Sequence, residues 1–496
     1  MKQAFKPLGI AAAVTAASVS YVNVANAQPS VANNALGDLA LVPYYTVNGE
    51  WITGIHIVNT SDSTQVVKFR FRRAVDSLDA LDFNIVMSPF DVYAGFLSIE
   101  DDGDIIWAAD DTTCTVPVTT DGVLQMPDIY RPGAETGYVE IIAMAAAENE
   151  MEAIAVGAKH SGTAADPALT PADCDGVRSN FFADGSLSPL TVGQVDFDTT
   201  VGLDLDGDEV ENEYVDSDNP LKVSYFIRDN ATGVEFGDNA VHIQDFLENP
   251  AMTNQEFGYL SGDLRGFDFP DLDGGSPEAS TLERGRFNLL RDAEVLGVGS
   301  LINEWSANPA NGVGLDWVVT MPGQYVMFDV IQYLESLIDD DEECDRLAEG
   351  DDCDYRDIPV EAAVDPYNRE ETEPTDPAGR LVVSPQLPGV RVVTELPNET
   401  NVITFAGNSV LGVSDVNIDA ELGQPFGWLS LAVSSADENV RICDWTRDAT
   451  TLAPELDCVT SATGAVPMIG FAAWQRSVAA NPDASYGRIV AHSFTS

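Results

Sequence analysis

Hydrophobic and polar positions alternate with a period of two over much of this chain, and that period predicts strands. The clearest case is Val67, Phe69 and Phe71 interleaved with Lys68, Arg70 and Arg72. This is the pattern of a half-buried antiparallel strand with one apolar and one basic face. Further short strands are predicted at 51–58, 95–99, 104–108 and 138–144, separated by Asp, Gly and Pro turns. Their regular spacing points to a β-sandwich over residues 28–175. The middle region, 176–338, reads as mixed α/β, with strands at 221–228 and 313–320 and helices at 239–248 and 281–296. Residues 339–379 read as an acidic loop followed by a Pro-rich linker, and 339–357 alone hold 11 acidic groups. Strands return in 380–496, at 391–394, 401–405, 428–433 and 488–492. The fold class predicted is mainly β with some α, in several domains.

Residues 1–27 carry Lys2 and Lys6, an apolar stretch from 8 to 24, and Ala25-Asn26-Ala27, the charged, apolar and small-residue order of a signal peptide. Cleavage after Ala27 leaves 469 residues, enough for about three domains. No later apolar run is long enough to span a bilayer as a helix. Six cysteines follow the leader, and an even number in an exported chain reads as disulfides. Local spacing pairs Cys344 with Cys353 and Cys443 with Cys458, leaving Cys114 for Cys174.

Charge changes the picture more than composition does. The chain has 81 acidic residues against 24 Lys and Arg, a formal net charge of −57, which makes nucleic acid an improbable partner. After the leader only Lys68, Lys159 and Lys222 remain beside 19 arginines. A carboxylate surface almost without lysine stems suits a saline habitat, where ions screen self-repulsion; ordinary acidity for solubility is the plainer alternative. Lys68, Arg70, Arg72 and Arg73 form one local exception. Either they pair internally with Asp76, Asp79 and Asp82, or they receive the acidic segment 339–357 of another copy in a head-to-tail contact.

The best ligand signal is DLDGDEVENE at 204–213, where Asp204, Asp206, Asp208 and Glu213 surround Gly207. Alternating carboxylates about a glycine suit a hard cation, so calcium is the expected cofactor, with a plain acidic turn as the alternative. Asp268, Asp271 and Asp273 form a weaker second cluster. Neither G-x-S-x-G nor H-E-x-x-H occurs, and His56, His160, His242 and His492 are widely separated. No catalytic residue is therefore assigned. A glycosidase needs only two carboxylates, so 81 acids leave that reading open. The seven tryptophans are expected mainly in the core, with Trp445 and Trp474, beside polar stretches, the first to consider as a sugar platform.

Five blocks, LVPYYTV at 41–47, IVNTSD at 57–62, LDFNIVMSPFDV at 81–92, DWVVTMP at 316–322 and ETNVITF at 399–405, together resemble a group of exported proteobacterial proteins without an assigned activity. The resemblance implies location, not chemistry. The expectation is an exported, salt-adapted, disulfide-braced protein of the cell surface or matrix that acts by binding or assembly. Self-association or other surface components are its expected partners. A secreted carbohydrate-active or other hydrolase is the alternative.

Overall fold

The computed structural model describes residues 29–147, 152–161, 170–181, 201–203, 209–211, 214–247, 270, 272, 296–323, 360–368, 392–418, 425–433, 441–447, 454–460, 466–481 and 484–495, apart from 78, 101, 120, 129, 406 and 408. The leader, residues 281–295 of the predicted helix and the acidic segment 339–357 lie outside these residues. Among those described, no helix is long and apolar enough to cross a membrane. The architecture is mainly β, as the alternation predicts, and is built from two sandwiches.

The first sandwich faces an eight-stranded sheet against a six-stranded one. At the centre of the larger sheet Thr136–Ala147 pairs with Leu39–Thr46 on one side and Thr64–Arg73 on the other, and Thr64–Arg73 pairs in turn with Asp79–Met87. At the centre of the smaller sheet Trp51–Asn59 lies between Leu221–Asp229 and Val92–Ile99. The alternating residues Val67, Phe69 and Phe71 point into the space between the sheets, where Phe83, Tyr93 and Trp107 complete an aromatic cluster. The ring centroids of Phe69 and Trp107 are 5.0 Å apart, and the Trp107 indole donates to the Tyr93 hydroxyl at 2.8 Å. That bond satisfies the one polar atom that burying this indole would otherwise strand.

The boundary expected at 175 is not where the sheets divide. Leu221–Asp229, Glu235–Asn239 and Val241–Gln244, assigned from sequence to the middle region, are strands of the first sandwich. The helix predicted at 239–248 is replaced by the end of one strand and all of the next. Val241 and Ile243 alternate with His242, and pairing with Leu39–Thr46 buries Ile243 against Leu39 and Ile142. Burial at a sheet edge thus overrides weak helix propensity. The α-helix among the described residues is Cys174–Phe181, tied to strand Cys114–Val116 by the Cys114–Cys174 disulfide, with Cα atoms 5.4 Å apart. Closing so long a loop contributes about 4 kcal/mol on the chain-entropy account.

The second sandwich is one ten-stranded sheet folded on itself. Ser300–Asn308 and Val313–Thr320 meet only at Ala307–Gly314 and Asn308–Val313 before diverging into opposite layers. The turn between them is Pro309–Asn311 closed by Gly312 at φ +66°, a conformation that favours glycine. One layer holds Val392–Leu396, Val360–Asn368, Phe426–Val433, Ser300–Asn308 and Ser493–Thr495. The other holds Val416–Ile418, Thr400–Phe405, Val313–Thr320, Ile469–Arg476 and Tyr486–Ala491. Leu301, Trp305, Trp317, Phe405, Leu429 and Leu431 fill the space between them. The linker expected over 361–377 therefore begins as a strand. Ala362 and Val364 are buried, alternating with half-buried Ala363 and Asp365, a period hidden by the acidic and Pro-rich composition.

Opposite faces of Val313–Thr320 serve the two units. Leu315, Trp317 and Val319 point into the second core, while Val318 joins Val402 and Phe471 in the first. The seam is also hydrogen-bonded. Thr320 donates through its hydroxyl to the Pro43 carbonyl at 2.5 Å, and the Thr400 amide donates to the Ala74 carbonyl at 3.0 Å.

Candidate binding cleft

The folded-over sheet leaves a cleft of 660 Å³ at the end of the second sandwich, within the size range of small-molecule sites. Its walls include Trp305, Phe426, Trp428 and Trp474, with Glu304, Asn308, Asn311 and Arg476 supplying polar groups. Cross-strand pairing creates the arrangement: Glu304 lies opposite Trp428, and Trp428 opposite Tyr367, on three neighbouring strands. Trp428 is 38% exposed and stacks on Tyr367 with centroids 4.1 Å apart and planes 10° from parallel. Such a stack contributes about 0.5–1.5 kcal/mol beyond burial and holds the indole in place. Behind it Trp305 is buried and donates from its indole to the Tyr367 carbonyl at 3.1 Å.

Trp474 comes from the opposite layer. The Arg488 guanidinium carbon sits 4.9 Å from its ring centroid, and Arg488 also donates to Glu304 at 2.9 Å. One cation therefore fixes both an indole and a carboxylate across the two layers. Arg476, exposed at the end of the same strand as Trp474, forms no ion pair among the described residues. Glu304 is the one carboxylate among the described lining residues, and Arg488 already holds it. Among those residues no pair of acids of the kind glycoside hydrolysis requires is assembled. What it offers is exposed aromatic surface rimmed by amides, a hydroxyl and a cation.

Of the two tryptophans singled out by sequence, Trp474 lines the cleft, whereas Trp445 lies on strand Arg441–Arg447, whose side chains are outside the described residues. Trp428 and Glu304 were not singled out. The signal for Trp428 was present: Leu429 and Leu431 point inward, so alternation sends Trp428 and Ser430 to the other face.

The basic strip has a different fate from the docking surface considered above. Lys68, Arg70 and Arg72 are buried, because the outer face of the eight-stranded sheet is also covered, in part by the chain at Pro270 and Leu272. Lys68 pairs with Asp82 at 2.5 Å. Arg70 reaches Asp79 at 3.3 Å and Glu140 at 3.1 Å, while Arg72 reaches the same two acids at 2.6 and 2.7 Å. Arg73 pairs with Asp76 and donates to the Pro132 carbonyl at 2.7 Å. Internal pairing wins because three cations taken from water require nearby carboxylates. No strip remains for segment 339–357 of another copy.

The calcium candidates Asp204, Asp206, Asp208 and Glu213, and the weaker set Asp268, Asp271 and Asp273, lie outside the described residues. Strands Val201–Leu203 and Glu209–Glu211, on either side of 204–208, pair antiparallel. Cys344 and Cys353 also lie outside, whereas the backbone register sets Cys443 directly opposite Cys458. No group of three metal-ligating side chains occurs among the described residues.

His492 and His242 serve the fold, whereas His56 is exposed. His492 is buried, donates from Nε2 to the Val318 carbonyl at 3.0 Å and accepts at Nδ1 from Asn303 at 2.9 Å. Burial lowers its pKa to about 4, so it is neutral at physiological pH. Nε2 of His242 accepts the Val223 amide at 2.8 Å. Thr112, His160 and Asp91 form a loose line, with His160 Nε2 3.3 Å from the Thr112 hydroxyl but Nδ1 3.9 Å from Asp91. The Asp91 carboxylate is instead engaged by Ser88 and Thr113.

Comparison with family models, with curated proteins and with solved structures gives no match for this chain. The fold and the cleft define the class: a β-rich protein of two fused sandwiches with an aromatic cleft at one end.

Proposed function

We propose that this is an exported, salt-adapted protein of the cell surface or extracellular matrix that acts by binding, with calcium as a stabilising ion. The observation that carries the binding role is the open aromatic cleft, in which Glu304, the one carboxylate among the described lining residues, is already held by Arg488. Such a site can hold a ligand, and its described residues do not supply the second acid that the hydrolase alternative requires. The leader pattern, the even number of cysteines and the resemblance of five sequence blocks to exported proteins support the location. The charge of −57 supports the saline setting.

The test combines place and activity. Producing cells are fractionated into periplasm, surface wash and medium, with and without a chelator, and the purified mature chain is offered to washed cells and matrix. Surface or medium location, chelator-dependent release and adsorption lost in Trp428→Ala are expected. Cytoplasmic retention of the whole chain, or adsorption unchanged by Trp428→Ala, overturns the reading.

A further inference from the structure

We propose that the cleft takes a short oligosaccharide containing a hexuronate, with a pyranose ring against Trp428 and Trp474 and the sugar carboxylate on Arg476. This inference rests on the binding role and names its ligand class. Three observations lead to it.

The first is the shape of the aromatic surface. Trp428 presents an indole that is more than one-third exposed, although burial is the normal fate of such a large apolar group. It cannot rotate away freely, because Tyr367 is stacked on it at 4.1 Å. Trp474 is held by Arg488 and packs at 5.7 Å from Tyr486, itself 52% exposed. These are fixed, flat and amphipathic platforms, so their ordering cost is met before a ligand arrives. The apolar C–H face of a pyranose matches such a surface.

The second is the polar rim. Asn308 and Asn311 are joined by a 3.2 Å hydrogen bond and keep further donors and acceptors beside the aromatic walls, as does Ser306. A wholly apolar ligand would dry these groups without pairing them, which opposes binding. Sugar hydroxyls, which both donate and accept, would pair them.

The third is charge. In a chain with 81 acids and 24 Lys and Arg, Arg476 places an exposed cation with no ion pair among the described residues directly in the cleft wall, beside the aromatic surfaces. A guanidinium matches a carboxylate in bidentate geometry. The general field of −57 opposes strongly charged polyanions, but that repulsion is screened over about 10 Å at 0.1 M salt, whereas the Arg476 contact acts at hydrogen-bond range.

The experiment is calorimetric titration of the mature full chain with tetragalacturonate and, separately, with cellotetraose. Tetragalacturonate is expected to bind more tightly. Trp428→Ala should weaken it by about tenfold, equivalent to about 1.4 kcal/mol. Arg476→Gln, an exposed change that leaves both cores intact, should weaken tetragalacturonate by about tenfold and leave cellotetraose unchanged. The far-UV spectrum and urea midpoint of each variant establish that it is folded. Absence of heat with tetragalacturonate, equal affinity for the two sugars, or indifference to either substitution overturns the inference. If tetragalacturonate fails while Trp428-dependent adsorption to cells persists, only the ligand class is wrong and the binding role stands.

Discussion

Glu140 is the centre of the buried ionic layer, and replacing it by Gln tests how that layer works. Its Oε2 accepts from Arg70 at 3.1 Å, its Oε1 forms an ion pair with the Arg72 guanidinium at 2.7 Å, and the Tyr138 hydroxyl lies 3.4 Å from Oε1. Among the described residues it shares the neutralisation of Lys68, Arg70 and Arg72 with Asp79 and Asp82, and all six are buried. Glu140→Gln keeps the shape but removes one buried negative charge from beside two guanidiniums and turns an amide donor toward them. Breaking a buried pair from one side costs about 3–5 kcal/mol. For a cooperative unit of this size, each kcal/mol lowers Tm by about 2–4 °C, so a fall of about 6–20 °C is expected. Urea unfolding followed by tryptophan fluorescence gives the corresponding free energy. The loss should be the same at about 0.1 and about 1 M NaCl, because ions in solution do not screen charges sealed in the sheet. Combining Glu140→Leu with Arg72→Met should cost less than the sum of the two single changes by about 1–3 kcal/mol. A loss below about 1 kcal/mol, or one that disappears in salt, would refute the account and return these charges to the surface.

Asp316 is buried, with Oδ2 accepting from Ser409 at 3.0 Å and from the Val410 and Leu411 amides at 2.7 and 2.8 Å. Burial raises its pKa to about 7, so between the ordinary carboxylate value and about 7 the unfolded chain loses a proton that the folded chain keeps. This group's contribution to stability therefore falls as pH rises through that window. Asp316→Asn should raise the unfolding free energy from urea titration at about pH 8, by about 1–3 kcal/mol after the cost of its unpaired amide, and help less at about pH 5; equal destabilisation at both pH values would contradict this. With a net charge of −57, the melting temperature of the mature chain should climb between about 0.1 and about 1 M NaCl, and a flat response would remove the salt-adapted reading. Calcium at about 100 times its dissociation constant should add about 2.7 kcal/mol, an effect abolished in Asp204→Ala with Asp206→Ala; no heat at millimolar calcium would remove the site.

Strand positions were legible wherever one face was apolar and the other polar. The segment predicted at 313–320 is the strand Val313–Thr320, and 51–58 falls within Trp51–Asn59. Membership of the sheets was not legible, since alternation shows that a segment is a strand but not which strand lies beside it. For that reason Leu221–Asp229 was placed with the middle region although it borders Trp51–Asn59. Charge misled in two places. The pairing of the basic face at 68–73 with Asp76, Asp79 and Asp82 was legible in the sequence, but the burial of Lys68, Arg70 and Arg72 was not, because Glu140 comes from another strand some 70 positions away. The strand Val360–Asn368 looked like linker because acidic and proline residues masked Ala362 and Val364. Half of the cleft was visible, in Trp474, while its combination with Trp428 and Arg476 arises only when the folded sheet closes.

The ionic layer also has a bearing on how the chain avoids misfolding. Sliding Thr64–Arg73 along its neighbours by two residues would return every phenylalanine to the interior, so greasy contacts alone leave this error almost unpunished. Because Lys68, Arg70 and Arg72 share that two-residue spacing, the same slide would hand two of the three cations to a neighbour's acids but carry the end one beyond them, leaving a stranded ion in a dry layer. Charges hidden from water act here as a proofreading device for strand assembly, rejecting an alignment that oiliness would accept.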